Sequence, residues 1–303
     1  MNRNRILKKL YQQKYLFLLI IPGLVGFFIF NYIPMGGIVI AFKDYDLVQG
    51  IWKSPWVGIK YFEQFITGYH FKTIMRNTIG ISLMKLFLGF PVPIIFALLL
   101  NEIKNYYFKR TIQTISYLPH FLSWVVALGI IGKILSVDGG IVNELLIMIG
   151  KEPVNFFSNK KAMWPLIYLS EIWKETGWNS IIYLAALATI DVQLYEAAYV
   201  DGANRFKRMW HISLPGIKGT IAILFILAAG NILHTNFDQL YLLATPPVID
   251  VTEVIDTYIY RRTLQNMQYS LGAAAGLFKA ILNVCIVFMV NGITKKLTGE
   301  GIW

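Results

Sequence analysis

The chain has 303 residues, of which 56% are hydrophobic and only 15% charged, with a formal net charge of +11. Soluble domains use fewer apolar and more charged residues, so this composition belongs in a bilayer. The positive balance does not point to nucleic acid, because the basic residues sit in short clusters between apolar runs, where membrane topology places them.

A span needs about 20 apolar residues, and six stretches meet that. A basic segment, 1–14, carries Arg3, Arg5, Lys8 and Lys9. The run that follows, Tyr15 to Phe42, is too long for the apolar region of a signal peptide and reads as a retained first span. Residues 43–77 form an outer stretch with Trp52 and Trp56, which together with Trp164 fit an interfacial aromatic belt. The second span is Thr78 to Leu100 and the third Ile112 to Leu135, joined by Lys104, Lys109 and Arg110. Pro22, Pro34, Pro91, Pro93 and Pro119 are expected to break or kink spans one to three. A second outer stretch, 136–163, leads to span four, Trp164 to Ile190; span five is Lys218 to Leu243; a third outer stretch, 244–270, precedes span six, Leu271 to Thr294. With both termini cytoplasmic, 14 basic residues lie inside and 10 outside, in agreement with the positive-inside rule. The single cysteine, Cys285, lies within an apolar run, which rules out an internal disulfide and a cysteine metal cage. Residues 15–303 read as a single membrane domain, all-α and polytopic.

Ionisable groups inside spans are functional candidates by default. Span four holds Glu171, Lys174 and Glu175, spaced so that the lysine or a neighbour compensates one carboxylate. Beside them Trp173, Trp178, Asn179 and Tyr183 offer aromatic faces and hydrogen-bonding tips of the kind that line a sugar path, or equally a lipid interface. In span five Asn231, His234 or Thr235, and Asp238 recur at helical spacing, a polar stripe that faces either a translocation pathway or another helix. His70, His120 and His211 show no metal-ligand spacing and read as interfacial or packing residues. Gly272 to Gly276 is a G-x-x-x-G run that admits a neighbouring helix, from a second subunit or from this chain.

Between spans four and five, residues 191–217 contain Glu196-Ala197-Ala198, three residues, Gly202, nine residues, then Ile212-Ser213-Leu214-Pro215. Locally, Leu194 to Val200 favours a helix with Glu196 near its start, where a carboxylate suits the positive dipole end. Gly202 permits the turn that stops it. A second short helix from about Ala203 carries Arg205, Lys207 and Arg208, and Pro215 marks its end. The expected product is a compact helix-turn-helix on the cytoplasmic side.

This pattern resembles the signature loop of permease subunits in binding-protein-dependent ABC importers. Val57 to Glu63 followed by Asn77-Thr78, the run Trp173 to Asp191, Val254 to Tyr258, and Gly299 to Trp303 are similar to the carbohydrate branch, the MalF and LplB kind. The resemblance implies a type I importer permease fold with six transmembrane helices. It also implies that Glu196, Ala197, Ala198, Asp201, Gly202, Ala203, Arg205, Leu214 and Pro215 dock an ATPase subunit. The expected partners are a second homologous permease, two ATPase subunits holding ATP and magnesium, an extracytoplasmic sugar-binding protein and the bilayer, with an oligosaccharide as cargo. No stretch matches G-x-x-x-x-G-K-[ST], so hydrolysis is expected on another chain and no cofactor on this one. Rival readings are an ion-coupled transporter working alone, a membrane-embedded enzyme using Glu171, Glu175 and Asp238, and an importer of peptides or ions.

Overall fold

A computed structural model describes residues 13–298; the basic residues Arg3 to Lys9 and the motif Gly299 to Trp303 lie outside the described residues. Among these, the chain is helical apart from connecting loops and an isolated antiparallel bridge between Lys43 and Trp56. Three helices are long and apolar enough to cross a membrane unbroken: α1 (Lys14–Phe42), α3 (Phe71–Asn101) and α13 (Tyr269–Thr298). Three bent pairs also qualify: α4 with α5 (Tyr106–Phe121 and Trp124–Ile134, 111°), α7 with α8 (Lys160–Leu187 and Val192–Val200, 79°), and α9 with α10 (Arg205–Gly216 and Lys218–Gly230, 62°). Shorter helices are α2 (Lys60–Thr67), α6 (Ile141–Met148), α11 (Phe237–Leu243) and α12 (Ile255–Tyr260).

The chain packs as two compact units. One holds the described residues up to Thr67 with Arg261–Leu277; the other holds Gly68–Tyr260 and the chain from Phe278. In the first unit, the apolar face of α1 is uncovered by its own chain, whereas the segment after it is fastened. Lys43 is buried and its Nζ donates to the carbonyls of Ile51 and Trp52. Phe42 stacks on Trp56. The Tyr61 hydroxyl donates to Asp44 Oδ1 at 2.5 Å, and the Lys60 ammonium lies 3.5 Å from Oδ2. That hydrogen bond, ahead of the lysine charge, holds the Asp44 carboxyl below its ordinary range. Burial, with the Asp44 bond second, pushes the Tyr61 hydroxyl up to about 12. Gly272 is required here for close approach: a Cβ would fall on the Thr263 hydroxyl, so this end of the G-x-x-x-G run packs within its own chain.

In the second unit α7 is the central post. Its N-cap is Asn159, whose side chain accepts from the Lys161 and Ala162 amides. It meets α4 so closely at Gly177 that a Cβ would overlap the Ser116 carbonyl. One apolar core joins Ile81 of α3, Trp124 and Leu128 of α5, Met163 and Ile167 of α7, and Leu240 of α11. A second, toward the other end of α7, joins Ile94 and Leu98 to Tyr183, Leu187 and Ile217. Asn77 donates to the carbonyls of Asp250 and Glu253, and Thr78 Oγ1 accepts from the Ile255 amide. The separated stretches Asn77-Thr78 and Val254 to Tyr258 therefore form one buried clamp.

Several local expectations are corrected. Pro34 and Pro91 do not break α1 and α3. Each follows a wide π-turn, Phe28–Tyr32 and Lys85–Gly89, and Pro215 follows a third, Met209–Ser213. In all three cases the residue four before the proline lies inside the wide turn, which moves its carbonyl away from the ring. Pro119 alone of the five stands beside a sharp break, ahead of the Ser123 N-cap that starts α5. Span five is not continuous: α10 ends at Gly230, residues 231–236 are non-helical, and α11 follows. Trp164, expected in the aromatic belt, packs one face on the first core, and its Nε1 donates to the Val251 carbonyl.

Candidate functional site

Two features of the second unit carry functional geometry, a helical hairpin and a cavity, and α7 serves both. Beyond Leu187 the chain turns through 79° into α8. The N-cap of α8 is Asp191, whose carboxylate accepts from the Gln193 amide. Glu196 is thus in the middle of the helix, and the expected dipole role belongs to Asp191. At the far end Gly202 has φ +73°. Its amide donates to the Tyr199 carbonyl while the Ala203 amide reaches back to Ala198, the paired bonds of a Schellman stop. Asn204 then caps α9 by accepting from the Lys207 amide.

The hairpin is internally tied where the Tyr195 hydroxyl and Ser213 Oγ meet at 2.9 Å. Its return is pressed against the end of α7, since a Cβ on Gly216 would meet Ile190. Glu196, Ala197, Asp201, Arg205 and Pro215 are exposed, and Ala198, Ala203 and Leu214 are half-buried. Alongside them Tyr199, Val200, Phe206 and Trp210 are exposed, Val200 by 84%. These apolar side chains are left uncovered by the chain itself.

The cavity, about 730 Å³, lies between α3, α7, α10 and the non-helical segment after Gly230. It brings together Asn179, Tyr183, Asn231, Thr235 and Asp238 from the expected set. The last three reach it because the helix breaks, not because they share a stripe. Gly230 and Asn231 end α10, and the Asn283 side-chain amide donates to the freed Gly230 carbonyl. Trp173 and Trp178 do not line this cavity. Trp178 instead stacks flat on the His120 ring, 4.4 Å between centroids.

The charged cluster of α7 is paired differently from its sequence spacing. Glu171 is matched by Lys85 of α3 at 2.6 Å. Lys174 sides with its neighbour Glu175 at 3.0 Å and donates to the His120 carbonyl at 2.8 Å. Glu175 also meets His120 Nδ1 at 2.7 Å, so this histidine is hydrogen-bonded to the charged cluster as well as packed. A lone lysine in an apolar run, Lys85, was the available sequence signal for the missing partner. Behind the cavity Asp256 takes the Lys279 ammonium and the Thr235 hydroxyl. Among the described residues no group of His, Cys, Asp and Glu can hold a metal ion.

Residues 89–299, more than half of the chain, match the family described as binding-protein-dependent transport system inner membrane component. The chain belongs to this family. Within it, the chain is 46% identical over 301 residues to the polygalacturonan/rhamnogalacturonan transport system permease protein YteP of Bacillus subtilis (strain 168), covering 99% of this chain and 94% of the relative. It is 45% identical to protein LplB of the same organism, covering 96% and 92%. A solved bacterial alginate ABC transporter, in complex with an alginate pentasaccharide-bound periplasmic protein, contains a chain that superposes with a TM-score of 0.90 at 37% identity, covering 98% of this chain and 100% of that one. As a member of the family, the chain is an inner-membrane component of a transport system that works with a binding protein. It has the all-helical type I importer permease fold.

Proposed function

We propose that this permease passes an oligosaccharide, delivered by an external binding protein, through the cavity beside α7, and that the hairpin 191–217 docks an ATPase subunit. Two such ATPases, with their ATP and magnesium, supply the energy, and a second permease supplies the facing half of the pore. Both termini of this chain are cytoplasmic in this reading.

The observation that carries it is that one helix, α7, walls the cavity and leads into the knob through the short bend 188–191. Packed helices move as units, and the return of the hairpin packs on Ile190 of that bend, so a push on the hairpin is passed toward the cavity wall. The relatives support the cargo class, being named for polygalacturonan, rhamnogalacturonan and arabinooligosaccharides. The cavity wall supports it too, with Tyr168, Asn179, Asn231 and Thr235 as hydroxyl-bonding partners.

The test is uptake of labelled oligosaccharides into proteoliposomes holding the assembled importer. Uptake is expected only with both ATP inside and the binding protein outside. Uptake that persists without ATP and follows an ion gradient overturns the reading.

A further inference from the structure

One arginine of the hairpin is attached to a helix that is not its neighbour in the chain. Arg208 lies in α9, and its NH2 group approaches the Glu102 carboxylate at 3.8 Å, with both side chains less than a fifth exposed. The same guanidinium sits 5.9 Å from the centroid of the Tyr199 ring in α8. Its Nε is buried without a hydrogen-bond acceptor. A single planar cation thus lies beside both arms of the hairpin and the end of α3, with its Nε unpaired.

Glu102 stands in the wrong place by local rules. It is the C-cap residue of α3, where the helix presents its partial negative charge and a carboxylate is unfavourable. A residue that offends its own helix yet is matched from a distant element marks a position kept for something other than local stability. That helix is also the other wall of the cavity, contributing Lys85, Phe90 and Pro93.

We propose that Arg208 and Glu102 are positioning residues that deliver the motion of the hairpin to α3, so that both cavity walls move together. The proposal rests on the docking reading of the hairpin. The chain itself joins the hairpin to α7 and to α10, at bends of 79° and 62°. It makes no covalent link to α3; it meets that helix through the apolar core that Ile217 shares with Ile94 and Leu98, and the ion pair adds a charged link at the helix end. Because both groups are shielded from solvent, their attraction is weakly screened and able to bear on the helix end. The unmatched Nε suits a cation that changes acceptors between two arrangements of the hairpin.

The experiment measures oligosaccharide uptake and ATP hydrolysis together in the assembled importer. Glu102→Gln and Arg208→Lys are compared with the exchanged pair Glu102→Arg with Arg208→Glu. Each single variant is expected to keep hydrolysis while uptake per ATP falls roughly fivefold. The exchanged pair is expected to regain most of it. Unchanged uptake per ATP in both single variants overturns the proposal. So does an exchanged pair no better than the single variants, because the link then depends on shape and not on charge. Gly202→Leu in the same assay separates the two readings. If it fails to uncouple, docking itself is wrong; if it uncouples while Glu102→Gln does not, only the relay to α3 is lost.

Discussion

Lys85 of α3 and Glu171 of α7 meet at 2.6 Å in the cavity wall, with side chains 18% and 24% exposed. The attraction ties the two walls to each other, yet its worth lies mainly in what happens when it is halved. Replacing Lys85 by Met leaves an uncompensated carboxylate in an apolar setting, at a cost of about 3 kcal/mol. Replacing both residues by apolar ones of similar volume is expected to restore most of that. Thermal unfolding in detergent checks it: the single variant melts well below the double one, and equal melting temperatures contradict the account.

Gly202 supplies the left-handed residue on which the hairpin turns. A branched side chain there costs about 1 to 2 kcal/mol of local conformation, whereas Asn is the best tolerated substitute. Gly202→Leu is therefore expected to abolish ATP-coupled uptake with the protein still inserted at normal levels, and Gly202→Asn to retain much of it. Membrane content by immunoblot together with uptake decides the matter; normal uptake by the Leu variant contradicts the docking role.

Asn231 and Asp238 reach the cavity from either side of the break in span five. Both are exposed, and the Asn231 side chain donates back to the Leu227 carbonyl of its own helix. Asn231→Leu and Asp238→Asn should leave the fold intact and alter uptake or its range of oligosaccharides. Unchanged transport of every oligosaccharide tested shows that neither side chain meets the cargo.

Asp44 and Tyr61 lie between the candidate spans α1 and α3, and their shifts give the pair a pH dependence of defined sign. A carboxyl held below its ordinary range stabilises the fold above the unfolded-state pKa and loses that contribution as pH falls through the lower, folded value. The raised hydroxyl does the opposite, contributing below its ordinary pKa of 10 and losing that contribution as pH rises through about 12. Tyr61→Phe removes the largest cause of the Asp44 shift. Its acid transition, followed by the fluorescence of nearby tryptophans such as Trp56, is expected at higher pH than in the parent. An unshifted transition shows that the bond does not form in the membrane-embedded protein.

Much of this was readable from the residues. The hairpin was legible from Gly202, a helix stop, and from Pro215 after the second helix; its caps, Asp191 and Asn204, are capping types, but the residue expected to serve the helix start was Glu196. The two terminal spans were legible because they are apolar without interruption. The break in span five was not, because Asn231, Thr235 and Asp238 also satisfy a helical period. The adjoining Gly230 and Asn231 are a stop signal that the hydrophobic run on both sides conceals. The partner of Glu171 was illegible for a different reason. Local spacing offered Lys174, while the actual cation, Lys85, comes from another helix, and sequence distance carries no trace of such a meeting. Likewise the prolines of α1 and α3 read as breaks or kinks, and nothing in composition announces that the disturbance takes the form of a wide turn within an unbroken helix.

The long first helix covers none of its apolar window with its own chain. Exchanging Leu for Ile or Val along it opens no void within this polypeptide, in contrast to the same exchange at Ile167 or Leu240, which are fully enclosed. Along α1, then, any penalty that a conservative apolar exchange does incur is felt at a boundary with lipid or with another molecule. A mutational scan of that helix is accordingly a map of its surroundings, drawn in a stretch of sequence that is silent about the fold to which it is attached.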